Sequence, residues 1–262
     1  MSKRYKQKGV SPPIWVSQNF LTSKKTINRL ISKTSISIDD HVVEIGPGKG
    51  HITNKLLQHC QKVSAIEMDA KLYGKLHEKY GEHSKLRLYH GDFLKWELPV
   101  SEGYKVFANI PFCHTTDILR KLAECKNPPT EAWLTMEKGA AKRFLGLPRE
   151  NLRSLSLKPM FDMRIVYFFK REDFHPMPRV DVVLVHLKRK SSCDIPASQW
   201  RDYQNFILKG LANNRTGLMR LFTRRQLSIV RKQAGINDIA AGEILYIQWL
   251  CLFRSYYEHV LK

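Results

Sequence analysis

The chain has 262 residues, 43% of them hydrophobic, enough to fill one large α/β domain and a smaller appendage, which excludes a disordered polymer. Lys and Arg number 44 against 24 Asp and Glu, a net charge of +20 that argues against a small neutral substrate and for a polyanion, nucleic acid first. Five cysteines without C-x-x-C spacing, and ten histidines without H-x-x-x-H or H-E-x-x-H, give neither a disulfide framework nor a metal site.

In chain order, residues 1–15 form a basic arm. The first 30 residues carry Lys3, Arg4, Lys6, Lys8, Lys24, Lys25 and Arg29 and no acid. The start is polar and Pro12-Pro13 interrupts it, so it lacks the apolar core of a secretory signal, and a cytoplasmic location is expected. From 16 to 187, apolar runs at 41–45, 63–67, 86–89, 104–108 and 132–136 have the length and content of buried strands. Between them, Ile52, Leu56 and Leu57, then Leu72, Leu76 and Tyr80, then Ile118, Leu119 and Leu122 recur at helical spacing. Repeated β-α units predict a doubly wound, Rossmann-like and mostly parallel sheet. The β-branched and aromatic segments 165–169 and 182–188 are expected to add strands at one edge. Residues 188–192 read as a polar linker, and Trp200, Tyr203, Phe206, Ile207 and Leu211 open a small all-helical domain over 188–262. That region holds 13 basic and five acidic residues, a second basic zone suited to RNA. No apolar span or strongly amphipathic basic helix points to a membrane.

Two motifs carry chemistry. Glu44-Ile45-Gly46-Pro47-Gly48-Lys49-Gly50 lies between a strand and a helix, where glycines let the backbone turn tightly and approach a ligand. Glu67 falls 21 residues after Gly46, at the next strand end, where an acid can accept from ribose hydroxyls. A nicotinamide site competes, but it wants G-x-G-x-x-G, and Gly50 comes one residue early; S-adenosylmethionine fits better. Asp92, in the turn Gly91-Asp92-Phe93 after the third strand, is suited to accept from an adenine amino group, although an Asp there also serves as a simple turn cap.

The second motif is Asn109-Ile110-Pro111-Phe112. The Asn109 amide oxygen and the Ile110 carbonyl can accept from an exocyclic amine, Pro111 fixes the chain without donating an N–H, and Phe112 offers a stacking face for a base turned out of its helix. An aromatic amine is a weak nucleophile, so such a site works by holding it in line with a methyl group and needs neither a triad nor a metal.

These motifs, with Ser17-Gln18-Asn19-Phe20-Leu21, Asp69, the segment Met136-Glu137-Lys138-Gly139-Ala140-Ala141-Lys142-Arg143-Phe144 and Phe174-His175-Pro176-Met177-Pro178-Arg179-Val180-Asp181, resemble the rRNA adenine N6-methyltransferases in order across almost the whole chain. Phe174-His175-Pro176 and Leu221-Phe222-Thr223-Arg224-Arg225-Gln226-Leu227 are most similar to the Erm type, which modifies one adenine of 23S rRNA and confers macrolide, lincosamide and streptogramin B resistance. The close relative dimethylates two adenines of small-subunit rRNA, and some members of this fold act without catalysis in transcription. Phe112 departs from the commoner Tyr, which leaves stacking intact. The resemblance implies donor contacts from Asn19, Leu21, Gly46, Glu67, Asp92 and Asn109, with Asn109, Ile110 and Phe112 around the target amine. It further implies Phe174 as a second wall for the base, and phosphate contacts from Arg143, Arg220, Arg224 and Arg225 together with the basic arm. The implied partner is rRNA before ribosome assembly is complete, met by a monomer.

Overall fold

A computed structural model describes residues 19–213, 216–237 and 243–261. The basic arm and the Ser17-Gln18 part of the N-terminal motif lie outside the described residues. The elements in order are β1 (Phe20–Leu21), α1 (Lys24–Ile31), β2 (His41–Ile45), α2 (His51–His59), β3 (Lys62–Glu67), α3 (Ala70–Tyr80), β4 (Leu86–His90) and β5 (Lys105–Asn109). There follow α4 (Thr115–Glu124), β6 (Glu131–Glu137), α5 (Lys138–Phe144), α6 (Leu152–Leu157), β7 (Phe161–Phe168), β8 (Phe174–His175) and β9 (Val182–Arg189). The chain then forms α7 (Trp200–Leu211), α8 (Thr216–Met219), α9 (Arg224–Gln233) and α10 (Tyr246–Tyr256).

Seven strands make one sheet in the order β4-β3-β2-β5-β6-β9-β7. The first five are parallel, and β9 runs antiparallel to both its neighbours, β6 and β7, so the two late segments do complete one edge. Each residue of β2 is buried, as both faces are covered: α1 and α2 pack on Val42, Val63 and Phe107, while α4 and α5 pack on Val43, Val106 and Leu134. β7, at the edge, alternates instead between packed and exposed positions. From β2 the chain winds outward through β3 to β4, then returns across β2 to β5. The crevice between the carboxyl ends of β2 and β5 is therefore a topological switch point, where open α/β sheets take their ligands.

The helices after β9 carry a separate core in which Phe206 packs against Phe222, Trp249, Phe253 and Tyr256. Leu155 of α6 belongs to it, and the Tyr203 hydroxyl donates to the Leu155 carbonyl at 3.0 Å, so the helical region is keyed to the sheet region through α6.

Sequence periodicity carries no sign of the two-stranded ribbon of β1 and β8, where Phe20 pairs with His175 and Leu21 with Phe174. Two residues on each side are too short to show alternation. The ribbon is held by the Asp173 carbonyl, which accepts from the Thr22 amide at 2.9 Å, and by the Asp173 carboxylate, which accepts from the Thr26 hydroxyl at 2.6 Å. Phe174 is 2% exposed, stacked edge-on to Phe169 at 5.1 Å and packed with Leu21, α1 and α2. The second base wall expected of Phe174 is thus a core side chain, turned inward by the pairing that brings Leu21 beside it. Phe174→Ala should cost about 3–5 kcal/mol of stability, as buried Phe truncations do. Urea unfolding checks this; an unaltered midpoint would return Phe174 to the surface role.

Candidate active site

The switch-point crevice is lined by Asn19, Phe20, Gly46, Gly48, Glu67, Asn109, Ile110, Pro111 and Phe112. It is a narrow crevice, open to solvent along one side. Its floor is the glycine loop. Gly46 has φ +64°, and a Cβ there would meet no atom within 4 Å, so the conformation demands glycine while the space belongs to the crevice. Gly48, at φ +59°, is glycine for a second reason: a Cβ would lie 2.8 Å from the Phe20 ring, which closes over the loop with the Lys49 ammonium 5.1 Å from its centroid.

Glu67, at the end of β3, braces that loop. One carboxylate oxygen accepts from the Gly48 amide at 2.9 Å, and the other from the Asp69 amide at 2.9 Å. Each oxygen retains a second lone pair, so the group can hold the loop and accept a ligand hydroxyl at once. Asp69 itself caps α3 through Lys71 and Leu72. Glu67 is 3% exposed, and burial raises its pKa against the pull of those backbone amides.

Behind the loop lies a second acid. Glu44 is 1% exposed at the end of β2, with the Thr53 hydroxyl and amide of the first turn of α2 beside it, yet neither carboxyl oxygen closes a hydrogen bond among the described residues. Desolvation pushes its pKa up to about 8, with the nearby Glu67 charge adding to the rise.

The opposite wall is the turn after β5. The Asn109 side-chain nitrogen donates to the Asn19 carbonyl at 2.7 Å, which fixes the amide orientation and leaves its oxygen as an acceptor at the crevice. Ile110 is 2% exposed with its side chain in the core, so the carbonyl is its functional group. Pro111 sits at φ −60° and ψ 127°, and Phe112, half-buried, opens a single 3-10 turn.

The fold thus brings together Asn19, Gly46, Glu67, Asn109, Ile110 and Phe112. Leu21 is a core residue of the ribbon and does not line the crevice. Asp92 is half-buried after β4, one strand further out, where one carboxylate oxygen caps the turn by accepting from the Leu94 amide at 2.8 Å. Arg143, Arg220, Arg224 and Arg225 are exposed. Phe20 escapes sequence reasoning as a lining residue, although it stands in the quoted motif, because an apolar residue between Asn19 and Leu21 carries no chemical mark.

A family model described as ribosomal RNA adenine dimethylase matches residues 14–253. The chain belongs to this family. Members similar to it include an rRNA adenine N-6-methyltransferase of Limosilactobacillus reuteri, 37% identical over 92% of this chain and 95% of that protein. Another, from Escherichia coli and of the same description, is 35% identical over 92% and 94%. Among solved structures, that of the 23S rRNA methyltransferase ErmE superposes with a TM-score of 0.79 at 26% identity, covering 91% of this chain and all of that one. A Plasmodium falciparum dimethyladenosine transferase, at 21% identity and a TM-score of 0.76, shares the fold over 91% of this chain and 97% of its own. As a member of the adenine dimethylase family the protein is an enzyme, a methyltransferase.

Glu44 gives this enzyme a pH signature. Its folded pKa lies above that of the unfolded chain, so between about 4.5 and 8 the folded state holds the extra proton and stability falls as pH rises, by at most about 1.4 kcal/mol per unit. Glu44→Gln should remove this component, making the variant more stable than the parent at pH 8 and nearly equal to it at pH 5. Urea unfolding across that range checks it; parallel parent and variant curves would show that Glu44 ionises freely.

Proposed function

We propose that the protein transfers a methyl group from S-adenosylmethionine to the N6 amine of an adenine in 23S rRNA, once or twice, and so confers macrolide, lincosamide and streptogramin B resistance. The observation that carries this reading is the joining, in one crevice, of the Gly46-Gly48-Glu67 cradle with the Asn109-Ile110-Pro111-Phe112 turn. The cradle fits the donor: open space at Gly46 and a Glu67 carboxylate with spare lone pairs. Gly46, Glu67, Asn19 and Asn109 would hold it, with Asp92 reaching it through the carboxylate oxygen that does not cap its turn and Leu21 acting only through the ribbon that seats Asn19. When bound, S-adenosylmethionine supplies an electrophilic methyl group.

The chain's own residues prepare the nucleophile. The Asn109 side-chain oxygen and the Ile110 carbonyl accept from the two amine protons, which favours a more tetrahedral nitrogen and frees its lone pair from the ring. Phe112 stacks on the adenine and keeps the amine in line with the methyl group. The Asn19 carbonyl locks the Asn109 amide, so the acceptor is preorganised.

The choice of 23S rRNA is supported by the likeness to ErmE and by the Phe174-His175-Pro176 and Leu221 to Leu227 motifs. Small-subunit rRNA is the second reading, because the description of the matching family names ribosomal RNA and no subunit. Arg224 and Arg225 occupy the first turn of α9, where the helix dipole disfavours cations, and both are exposed. That placement has a use if a phosphate sits there. Arg143 and Arg220 would extend the contact. No helix among the described residues is long and apolar enough to cross a membrane.

Expression in a susceptible bacterium, with methylated adenines mapped on both rRNAs, tests the assignment: large-subunit modification with macrolide resistance is expected, and small-subunit modification alone would replace it. In methylation of a defined rRNA fragment, Phe112→Tyr should keep most activity and Phe112→Ala should lose about 1–3 kcal/mol of stacking, while Asn109→Ala should be slower still. A Phe112→Ala variant as fast as the parent would remove the stacking role. Arg224→Glu with Arg225→Glu should stabilise α9 slightly while weakening RNA binding and flattening its salt dependence. An unchanged salt slope would make both arginines ordinary surface charges.

A further inference from the structure

Next to the crevice, on the far side of the glycine loop, α1, α2 and α3 enclose a second concavity. Its polar lining is Lys24 and Asn28 of α1, His51, Asn54 and Lys55 of α2, and Lys79 of α3, with Tyr80 and Gly50 completing the wall. No carboxylate of the described residues lines it. Among the described residues none of Lys24, Lys49, Lys55 and Lys79 forms an ion pair. Lys55 donates to the Gln58 side chain at 2.9 Å, and Lys79 lies 4.8 Å from the centre of the Tyr80 ring.

The cations converge. The His51 imidazole is held below the ordinary histidine range by burial first, then by the charges of Lys49, Lys79 and Lys24, which come from the loop, α3 and α1. Like charges gathered from three elements without a counter-charge repel one another, and a phosphate seated among them relieves the repulsion. The amides of Asn28 and Asn54 add neutral donors at the same wall. The loop that ends at Gly50 in this concavity begins at Gly46 in the crevice, so the two concavities adjoin across a single glycine loop.

We infer that this concavity binds phosphodiester groups of the RNA strand flanking the nucleotide seated in the crevice, as an anchor on the sheet region separate from the arginines of the helical region. The inference rests on the RNA-methylation reading above. It makes binding proton-linked. A phosphate offsets the lysine charges that add to burial in lowering the His51 pKa, so that pKa rises on binding, a proton is taken up, and RNA affinity increases as pH falls through the histidine range.

The test measures binding of a defined rRNA fragment to the parent, to Lys24→Gln/Lys79→Gln and to His51→Gln, across salt and pH, with S-adenosylmethionine affinity by calorimetry as a control. The double variant should flatten the plot of log affinity against log salt by about 0.7–0.9 for each phosphate contact removed, with donor affinity unchanged. His51→Gln should lose the pH dependence of RNA binding that the parent shows. Parental salt slope and pH dependence in both variants, with methylation by the parent intact, overturn the anchor and leave the methylation reading standing. A parent that neither binds nor methylates the fragment overturns both. Inorganic phosphate titrated against the His51 resonance supplies the remaining arm: tight saturation by phosphate, with RNA binding of the double variant unaltered, marks a free-anion site and overturns the RNA assignment.

Discussion

The carboxylate of Glu67 holds the crevice in shape. It bridges the glycine loop after β2 and the turn after β3, and it does so at the switch point, tying two strand ends together through one side chain. The same group is suited to the ligand's hydroxyls, so the architecture and the recognition share one residue. A buried acid in this position is costly unless donors surround it, and the Gly48 and Asp69 amides offset part of that cost. Glu44, fully desolvated with only the Thr53 groups beside it, is kept largely protonated instead. Two acids a strand apart therefore differ for a plain electrostatic reason: two loop amides offset part of the burial of Glu67, while desolvation dominates at Glu44.

The second wall depends on a long-range tie. Asn109 is positioned by β5, but its amide is oriented by the Asn19 carbonyl, 90 residues away in sequence. Asn19 is in turn held by the ribbon of β1 and β8 and by the Asp173 bonds to Thr22 and Thr26. Phe20, projecting from that ribbon, closes against Gly48. The crevice is thus assembled from the sheet on one side and from a short N-terminal clamp on the other. The clamp is anchored in the core by Leu21 and Phe174.

Charge is organised around this crevice at two removes. The concavity of α1, α2 and α3 lies directly across the glycine loop, and the exposed arginines of α9 stand in a separately packed helical region keyed to the sheet by α6. A polyanion engaged at both has its orientation fixed by phosphate contacts that carry no sequence information, which leaves the choice of base to the crevice.

Much of this was legible in the sequence. The apolar runs of β2, β3, β5 and β6 are buried on both faces and so appear as unbroken strands, whereas the run at 86–89, expected to be buried too, is the edge strand β4 and is largely exposed beyond Leu86; glycines at 46, 48 and 50 mark a turn that only they can make; and Asn109 to Phe112 is a contiguous motif whose donors and acceptors are defined by residue type alone. Local composition fixes such features because their cause is local: backbone torsion, alternation and side-chain chemistry. What the tertiary structure decided is which of these residues meet. It turned Phe174 into the core, left Asp92 capping its own turn one strand from the crevice, made Glu67 a brace as well as an acceptor, and brought Phe20 onto Gly48. Those outcomes depend on strand order and on the pairing of segments more than 150 residues apart, as Phe20 with His175, and periodicity within a single segment carries no information about its distant partner.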